Sequence, residues 1–406
     1  MTTTTVVRAR DTGRDGTRAA RHARATLRRV PKLVVLLEQL FAPVPGGTGR
    51  YSRELAAALA ATAPAGWTVG GAIARHADPT PAIIPGVEGP HRLPLPRKAL
   101  VAAWDSGVAL WPGGDTVHAP TPLAPPGPSR GRDLVVTVHD TVPWTHPDGL
   151  TRRGVGWHRR NIGRAASRAD ALVVPTAAVA DDLPRHVPCQ ARLHVVGEGV
   201  SAAVTSLPPD AAAIATQLRL PPRYVLAVGT IEPRKGIDTL LAALAAPDAP
   251  DLPVVLVGQP GWGQVDPAAR ARRCGLEPAR VQVLGRITDA ELAVVLHSAA
   301  VLAAPSLAEG FGLPVLEAMA AGVPVVHSDA SALIEVAGDA GVMVARNDPA
   351  ALAIALRMVV SNPATMQAMR AAGRRRAEQF SWERTAHRVW SVHLELRRSR
   401  ARTVIS

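Results

Sequence analysis

Glu309 and Glu317 stand with seven residues between them in the run from Pro305 to Pro324, and their surroundings suggest what two carboxylates could do there. An apolar strand candidate, Val301 to Ala304, leads into the run. Gly310 and Gly312 sit where the backbone has to approach something closely. Pro314 suits a first helical turn, because its missing N–H would be unpaired there anyway, and Gly322 ends that helix before the next strand begins at Val323. The start of such a helix carries unpaired N–H groups and partial positive charge, so it can receive an anion. Carboxylates beside an anion site suit a phosphorylated ligand that also bears hydroxyls, as a nucleotide sugar does. Alone, the run would equally fit a glycine-rich turn with two solvated glutamates.

A second constellation is Gly229-Thr230-Ile231-Glu232-Pro233-Arg234-Lys235-Gly236, again between a strand and a helix. Arg234 and Lys235 are adjacent cations where the helix dipole favours acids. A diphosphate between them would satisfy both cations and the helix end, whereas the bland alternative is an exposed charged pair. His139, in His139-Asp140-Thr141, follows the strand Arg132 to Val138 and could donate to a substrate oxygen, or simply bond loop backbone. Gly46-Gly47-Thr48-Gly49 follows the first strand, Lys32 to Leu37, and is either a phosphate-approach loop or a tight turn ahead of a helix from Ser52 to Ala61.

These loops need a scaffold of parallel strands. Short apolar strand candidates at 224–228, 254–257, 281–284, 301–304 and 323–327 alternate with helical stretches, which predicts a doubly wound α/β sheet over the second half. The first half shows strands at 32–37, 67–73, 115–118, 132–138, 171–175 and 192–197, with a Pro/Gly-rich stretch at 76–130 that resists assignment. Gly199 to Pro222 reads as a linker with a short helical piece. The expected division is a disordered basic tail at 1–29, one Rossmann-like domain at 30–205, a second at 206–380, and a final helix with a basic tail at 381–406.

The 406 residues carry 46 Lys plus Arg against 33 acids, a formal charge of +13, which fits nucleic acid, anionic lipid or phosphorylated ligands as partners. With 3% aromatic residues and no recognised nucleic-acid module, nucleic acid is set aside. Residues 1–29 hold eight arginines without an apolar run, and Arg397, Arg398, Arg400 and Arg402 close the chain, so both ends read as solvated tails. The stretch Thr151 to Ala169 is helical and basic. Its Arg152, Arg159, Arg160 and Arg164, with Trp157 among them, suggest a membrane or acceptor patch, or else a solvated face. No run is long enough to span a bilayer, and Cys189 and Cys274 lack metal-ligand spacing, so a cytoplasmic protein, peripheral at most to the inner face of the plasma membrane, is expected.

Together the motifs resemble glycosyltransferase family 4, retaining enzymes of the GT-B fold. The resemblance rests on Glu309 to Glu317, Gly229 to Gly236, Gly46-Gly47, Val138-His139-Asp140, the strand-and-loop run Ser331 to Val344 and Phe380-Ser381-Trp382. The form Gly-Thr-Ile-Glu-Pro-Arg-Lys looks most like the branch holding many bacterial mannosyltransferases of polysaccharide assembly. The resemblance implies two Rossmann-like domains facing across a cleft, with the last helix returning to the first domain. It implies that Glu317 holds the ribose hydroxyls and that Glu309 contacts and aligns the donor sugar. Arg234 and Lys235 would neutralise the departing diphosphate, helped by backbone at Gly229, Gly310, Phe311, Gly312 and Leu313. His139 would contact the transferred sugar, and Gly47 would approach the diphosphate from the other domain. No cofactor or metal is implied beyond the donor, with GDP-mannose favoured, and the acceptor would be a glycan or a lipid-linked glycan. Two positions depart from the family pattern: Thr230 stands where some members carry arginine, and Glu198-Gly199 replaces the usual asparagine-glycine. The competing readings are a nucleotide-sugar epimerase or phosphorylase on the same fold, and a non-catalytic protein that binds anionic membranes.

Overall fold

A computed structural model describes residues 30–261, 263 and 265–405; the expected tail at 1–29 lies outside the described residues. Seven strands, β1 (Lys32–Leu36), β2 (Thr68–Ile73), β3 (Glu88–Arg92), β4 (Thr116–Ala119), β5 (Asp133–Thr137), β6 (Ala171–Val174) and β7 (Arg192–Val195), form one sheet in the order β3-β2-β1-β4-β5-β6-β7. Six more, β8 (Val225–Val228), β9 (Val254–Val257), β10 (Val281–Gly285), β11 (Val301–Ala304), β12 (Val325–Ser328) and β13 (Val342–Val344), form a second in the order β10-β9-β8-β11-β12-β13. All pairings between these strands are parallel. Strands covered by helices on both faces need no polar side, and β5, β6 and β9 are buried along their whole length.

The helices that matter for the site are α1 (Gly46–Ala61), α2 (Arg97–Asp105), α3 (Arg152–Arg168), α4 (Ala177–His186), α5 (Ile237–Ala245), α6 (Asp289–Ser298), α7 (Leu313–Ala321), α8 (Ser331–Ala337) and α9 (Trp382–Ile405). In each sheet the chain begins centrally, moves outward, then crosses back to the other side. The switch points therefore lie between β1 and β4 and between β8 and β11. Loops leaving the carboxyl ends of strands at a switch point diverge and leave a crevice. β8 and β11 are paired neighbours, Val225 opposite Val301, so the loops that follow them adjoin.

Several local expectations are corrected. The glycine run is not a loop ahead of a helix from Ser52. It forms the first turn of α1, with Gly46 at φ 57° letting the chain turn in. The unassigned 76–130 stretch holds β3, which has no aliphatic residue, and α2, which the surrounding prolines mask in sequence. Ser331 to Ala337 is helical rather than strand and loop. Two short helices, Ala202–Thr205 and Ala211–Gln217, stand in the linker stretch.

α9 is no basic tail. Trp382, Ala386, Val389 and Trp390 recur at helical spacing and are buried with Leu33, Tyr51, Leu55 and Leu59 of the first sheet's layer, and Trp390 Nε1 donates to the Leu59 carbonyl at 3.1 Å. Arg400 continues the contact onto Asp133 (2.7 Å) and Asp170 (3.1 Å), and Arg397 approaches Asp115 at 3.6 Å. A charge run has the same composition whether it is solvated or docked; the acids at the ends of β4, β5 and β6 decide this one.

A polar chain is sealed beneath α9. His393 Nδ1 is 2.7 Å from Thr116 Oγ1, and its Nε2 is 3.3 Å from His118 Nδ1. His118 Nε2 reaches Thr137 Oγ1 at 3.0 Å, and Thr137 meets the Tyr51 hydroxyl at 3.1 Å. Both histidines are completely buried, and burial depresses both, with His139 adding to the effect at His118 and His118 adding to it at His393; His118 falls to about 3.

Candidate active site

The loop after β8 and the loop after β11 bring the charged residues together. Lys235 Nζ donates to Glu309 Oε1 at 2.6 Å, and Arg234 Nη1 reaches Glu309 Oε2 at 3.2 Å. Ser306 Oγ adds a hydrogen bond to Glu309 at 2.8 Å, and Arg234 also binds the Ala308 carbonyl and Glu232 Oε1, both at 2.6 Å. The sequence argument required an anion between two cations at this helix start, and Glu309 supplies it. Burial alone would raise the Glu309 carboxyl, but Lys235 and Arg234, with the hydrogen bonds from Lys235 and Ser306, bring it down to about 2. Burial would lower the Arg234 guanidinium; Glu309, Glu232 and Asp140 raise it instead.

A crevice opens beside this cluster, lined by Gly229, Lys235, Ser306, Glu309, Gly312 and Leu333 among others. Gly236, at φ 67°, allows the first loop to pack on the Pro305 carbonyl, where a side chain would overlap. Gly312, also left-handed, begins α7, and Gly322 ends it. Gly47 faces Leu313 across the crevice mouth: a Cβ there would lie 3.6 Å from Leu313 Cδ1.

Three expected site residues are already engaged within the protein. Phe311 is buried, edge-on to Phe380 at 5.8 Å between ring centres, so its side chain belongs to the core and only its backbone can face a ligand. Gly310 makes its close approach to the His139 carbonyl of the other half, not to ligand space, and its own carbonyl accepts from Thr176 Oγ1 at 2.9 Å. His139 has both ring nitrogens near acceptors, Nδ1 3.3 Å from Glu198 Oε1 and Nε2 2.8 Å from the Pro120 carbonyl. Burial would lower this imidazole; Glu198 and the carbonyl raise it, so the protonated ring fits both partners. A contact from His139 to sugar therefore requires replacing one of those partners.

Glu317 lies in α7, 2 % exposed, and pairs with Arg50 of α1, across the two halves. Arg50 also binds Asp289, the first residue of α6, at 2.6 Å. Burial pushes the Glu317 carboxyl up against the pull of Arg50. Glu335 of α8 spans the same divide, accepting from Ala177 and Ala178 N–H at the start of α4, at 2.9 and 3.1 Å. Sequence reasoning missed Arg50, Glu232, Asp289 and Glu335, and Glu198 was noticed only as a departure from pattern. Arg50 directly follows the glycine run, but its partner lies 267 positions away and nothing local announces it.

The proposed basic patch on α3 is corrected in part. Arg164 is a structural group whose Nη1 and Nη2 donate to the Trp104 and Asp105 carbonyls, both at 2.8 Å, and Trp157 packs into the first domain's core. Arg152, Arg159 and Arg160 remain exposed. No helix among the described residues is long and apolar enough to cross a membrane.

Two parallel Rossmann-like sheets facing each other, with ligand-type loops at the switch point of the second, define the GT-B architecture of glycosyltransferases. Family comparison agrees over both halves: the profile described as Glycosyltransferase Family 4 matches residues 45–204, and that of Glycosyl transferases group 1 matches residues 211–376. The chain belongs to glycosyltransferase family 4. It is 37% identical over 163 residues to the O-antigen chain mannosyltransferase B of Escherichia coli, covering 39% of this chain and 42% of that protein. It is 36% identical over 242 residues to the D-inositol 3-phosphate glycosyltransferase of Rhodococcus opacus (strain B4), covering 56% of this chain and 54% of that protein. The chain thus spans about half the length of these curated relatives. In three dimensions it resembles Anabaena HepE in complex with UDP-glucose, with TM-score 0.64 and 19% identity over 92% of this chain and 99% of that one.

Proposed function

We propose that this chain is a retaining, metal-independent hexosyltransferase. It would move a sugar, with mannose favoured, from a nucleoside-diphosphate donor to a glycan or lipid-linked acceptor. The observation that carries this reading is the Arg234–Lys235 pair closing on Glu309 beside the crevice at the β8/β11 switch point. Breaking a sugar–phosphate bond puts oxocarbenium character on the sugar and growing negative charge on the diphosphate. Lys235 and Arg234, held by packing and hydrogen bonds before the donor arrives, stabilise that charge without reorganising at the moment of reaction. Backbone N–H groups at the start of α7 add to the effect. Glu309, displaced from the cations by the diphosphate, turns to the sugar hydroxyls, and Glu317 takes the ribose. Retention follows from attack on the same face, with the leaving phosphate accepting the acceptor's proton. The relatives' mannosyl and inositol-phosphate chemistry supports the transferase reading, and the UDP-glucose complex of HepE supports a nucleotide-sugar donor.

A screen of GDP, UDP and ADP by thermal shift tests this. A nucleotide that binds only the folded state stabilises it by about 2.7 kcal/mol at a hundredfold excess over Kd, and GDP is expected to give the largest rise. No rise with any of the three removes the donor site. Release of nucleoside diphosphate only when acceptor is present separates transfer from epimerisation.

The exposed Arg152, Arg159 and Arg160 of α3 support docking on anionic lipid at the inner face of the plasma membrane, next to a lipid-linked acceptor. Each such arginine contributes about 1 kcal/mol near an anionic surface, so Arg152→Glu with Arg160→Glu, which spares Arg159 and its 2.9 Å bond to the Pro143 carbonyl, should lower partitioning onto anionic vesicles at least about tenfold. Unchanged partitioning would place the acceptor site elsewhere. Arg164 is left out of this test because its carbonyl bonds to α2 hold the fold.

A further inference from the structure

Arg50 belongs to the first half of the molecule, one turn past Gly46-Gly47, yet its guanidinium reaches two carboxylates of the other half, Glu317 and Asp289. Glu317 is sealed: its side chain is 2% exposed, and Arg50, at 22%, is the outermost group over it. Among the described residues Arg50 is the one hydrogen-bond partner of its carboxylate. A carboxylate so buried has to keep a counter-charge or be hydrated. Asp289 is half exposed and stays in reach of water. Resting on the reading that Glu317 receives ribose, the geometry conflicts with simple entry, because no ribose reaches this carboxylate while Arg50 covers it.

We propose that Arg50 is a place-holder in the nucleoside subsite, and that donor binding exchanges its guanidinium on Glu317 for the ribose hydroxyls. Arg50 thereby sets donor affinity and ties it to the spacing of the two halves. The exchange is balanced. Glu317 trades an ionic partner for two hydroxyl donors, and Arg50 keeps Asp289. A binding-competent state that is only fractionally populated weakens apparent affinity by that fraction, so removing the competing pair tightens binding.

The test compares the full chain with its Arg50→Gln variant. In ligand-free solution scattering, Arg50→Gln should give a larger radius of gyration than wild type, because water enters to hydrate Glu317. By calorimetry it should bind whichever of GDP or UDP the wild type prefers about fivefold or more tightly. Asp289→Asn, at an exposed position that does not threaten folding, should enlarge the radius of gyration by less and leave nucleotide affinity unchanged, because Arg50 holds Asp289 in both states. Unchanged dimensions together with unchanged affinity overturn the proposal, and weaker nucleotide binding overturns it by making Arg50 a direct donor contact. If wild type binds neither nucleotide, the donor reading itself fails, and the scattering comparison still decides whether Arg50 holds the halves together.

Discussion

Lys235→Ala is expected to reduce turnover by about a hundred- to a thousandfold or more, the usual consequence of removing a preorganised group from the charge that develops in a transition state. The fold should survive. Glu309 would keep Arg234 at 3.2 Å and Ser306 at 2.8 Å, so its buried carboxylate is not stranded. The measurement is acceptor-dependent release of nucleoside diphosphate, with circular dichroism as the control for folding. Near-normal turnover in a folded variant would remove Lys235, and with it the diphosphate site, from the proposal. Titration does not confuse the result. A carboxyl held at about 2 contributes stability that is fully present above the ordinary carboxylate pKa and is lost only as pH falls toward 2, well below any practical assay.

The second large effect is on stability in mild acid. His118 and His393 are sealed between β4, β5 and α9, with Thr116, Thr137 and Tyr51 facing them. His118 is held at about 3 and His393 well below its ordinary value. A base depressed in the folded state remains neutral there while the unfolded chain takes up protons, so its contribution is intact above pH of about 6.5 and declines as pH falls below it. For two such groups the loss is about 2–3 kcal/mol at pH of about 5.5 and grows with further acidification. The thermal midpoint should therefore drop steeply from neutral pH to mild acid, and a His118→Gln, His393→Gln double variant should drop less. Parallel curves for the two proteins would show that the pair does not govern acid stability. Because the pair lies under α9, acid loss should begin with the detachment of that helix.

The alternation of β8 to β12 with helices was legible because its strands are short apolar runs, bounded by glycine and proline. Glu309, Arg234 and Lys235 could be found for a related reason. Each sits within a few residues of a strand's carboxyl end, and strand order at a switch point brings such loops together whatever the side-chain detail. β3, Glu-Gly-Pro-His-Arg, was not legible because it has no aliphatic residue, and α2 was not because its nine residues stand in a stretch otherwise broken by proline and glycine.

Local sequence determined the doubly wound elements, the caps at Gly312 and Gly322, and the placing of two cations and Glu309 on loops of one sheet edge, with Glu317 in the helix that follows. Only the tertiary structure decided the partners. Arg50 meets Glu317, Glu198 meets His139, Arg400 meets Asp133, and Arg164 turns from a surface charge into a brace for α2. An arginine reads the same in sequence whether water, a carbonyl or a carboxylate receives it. The energy that selects among these depends on burial and on distance to a residue remote in the chain, and neither quantity exists until the two halves have packed.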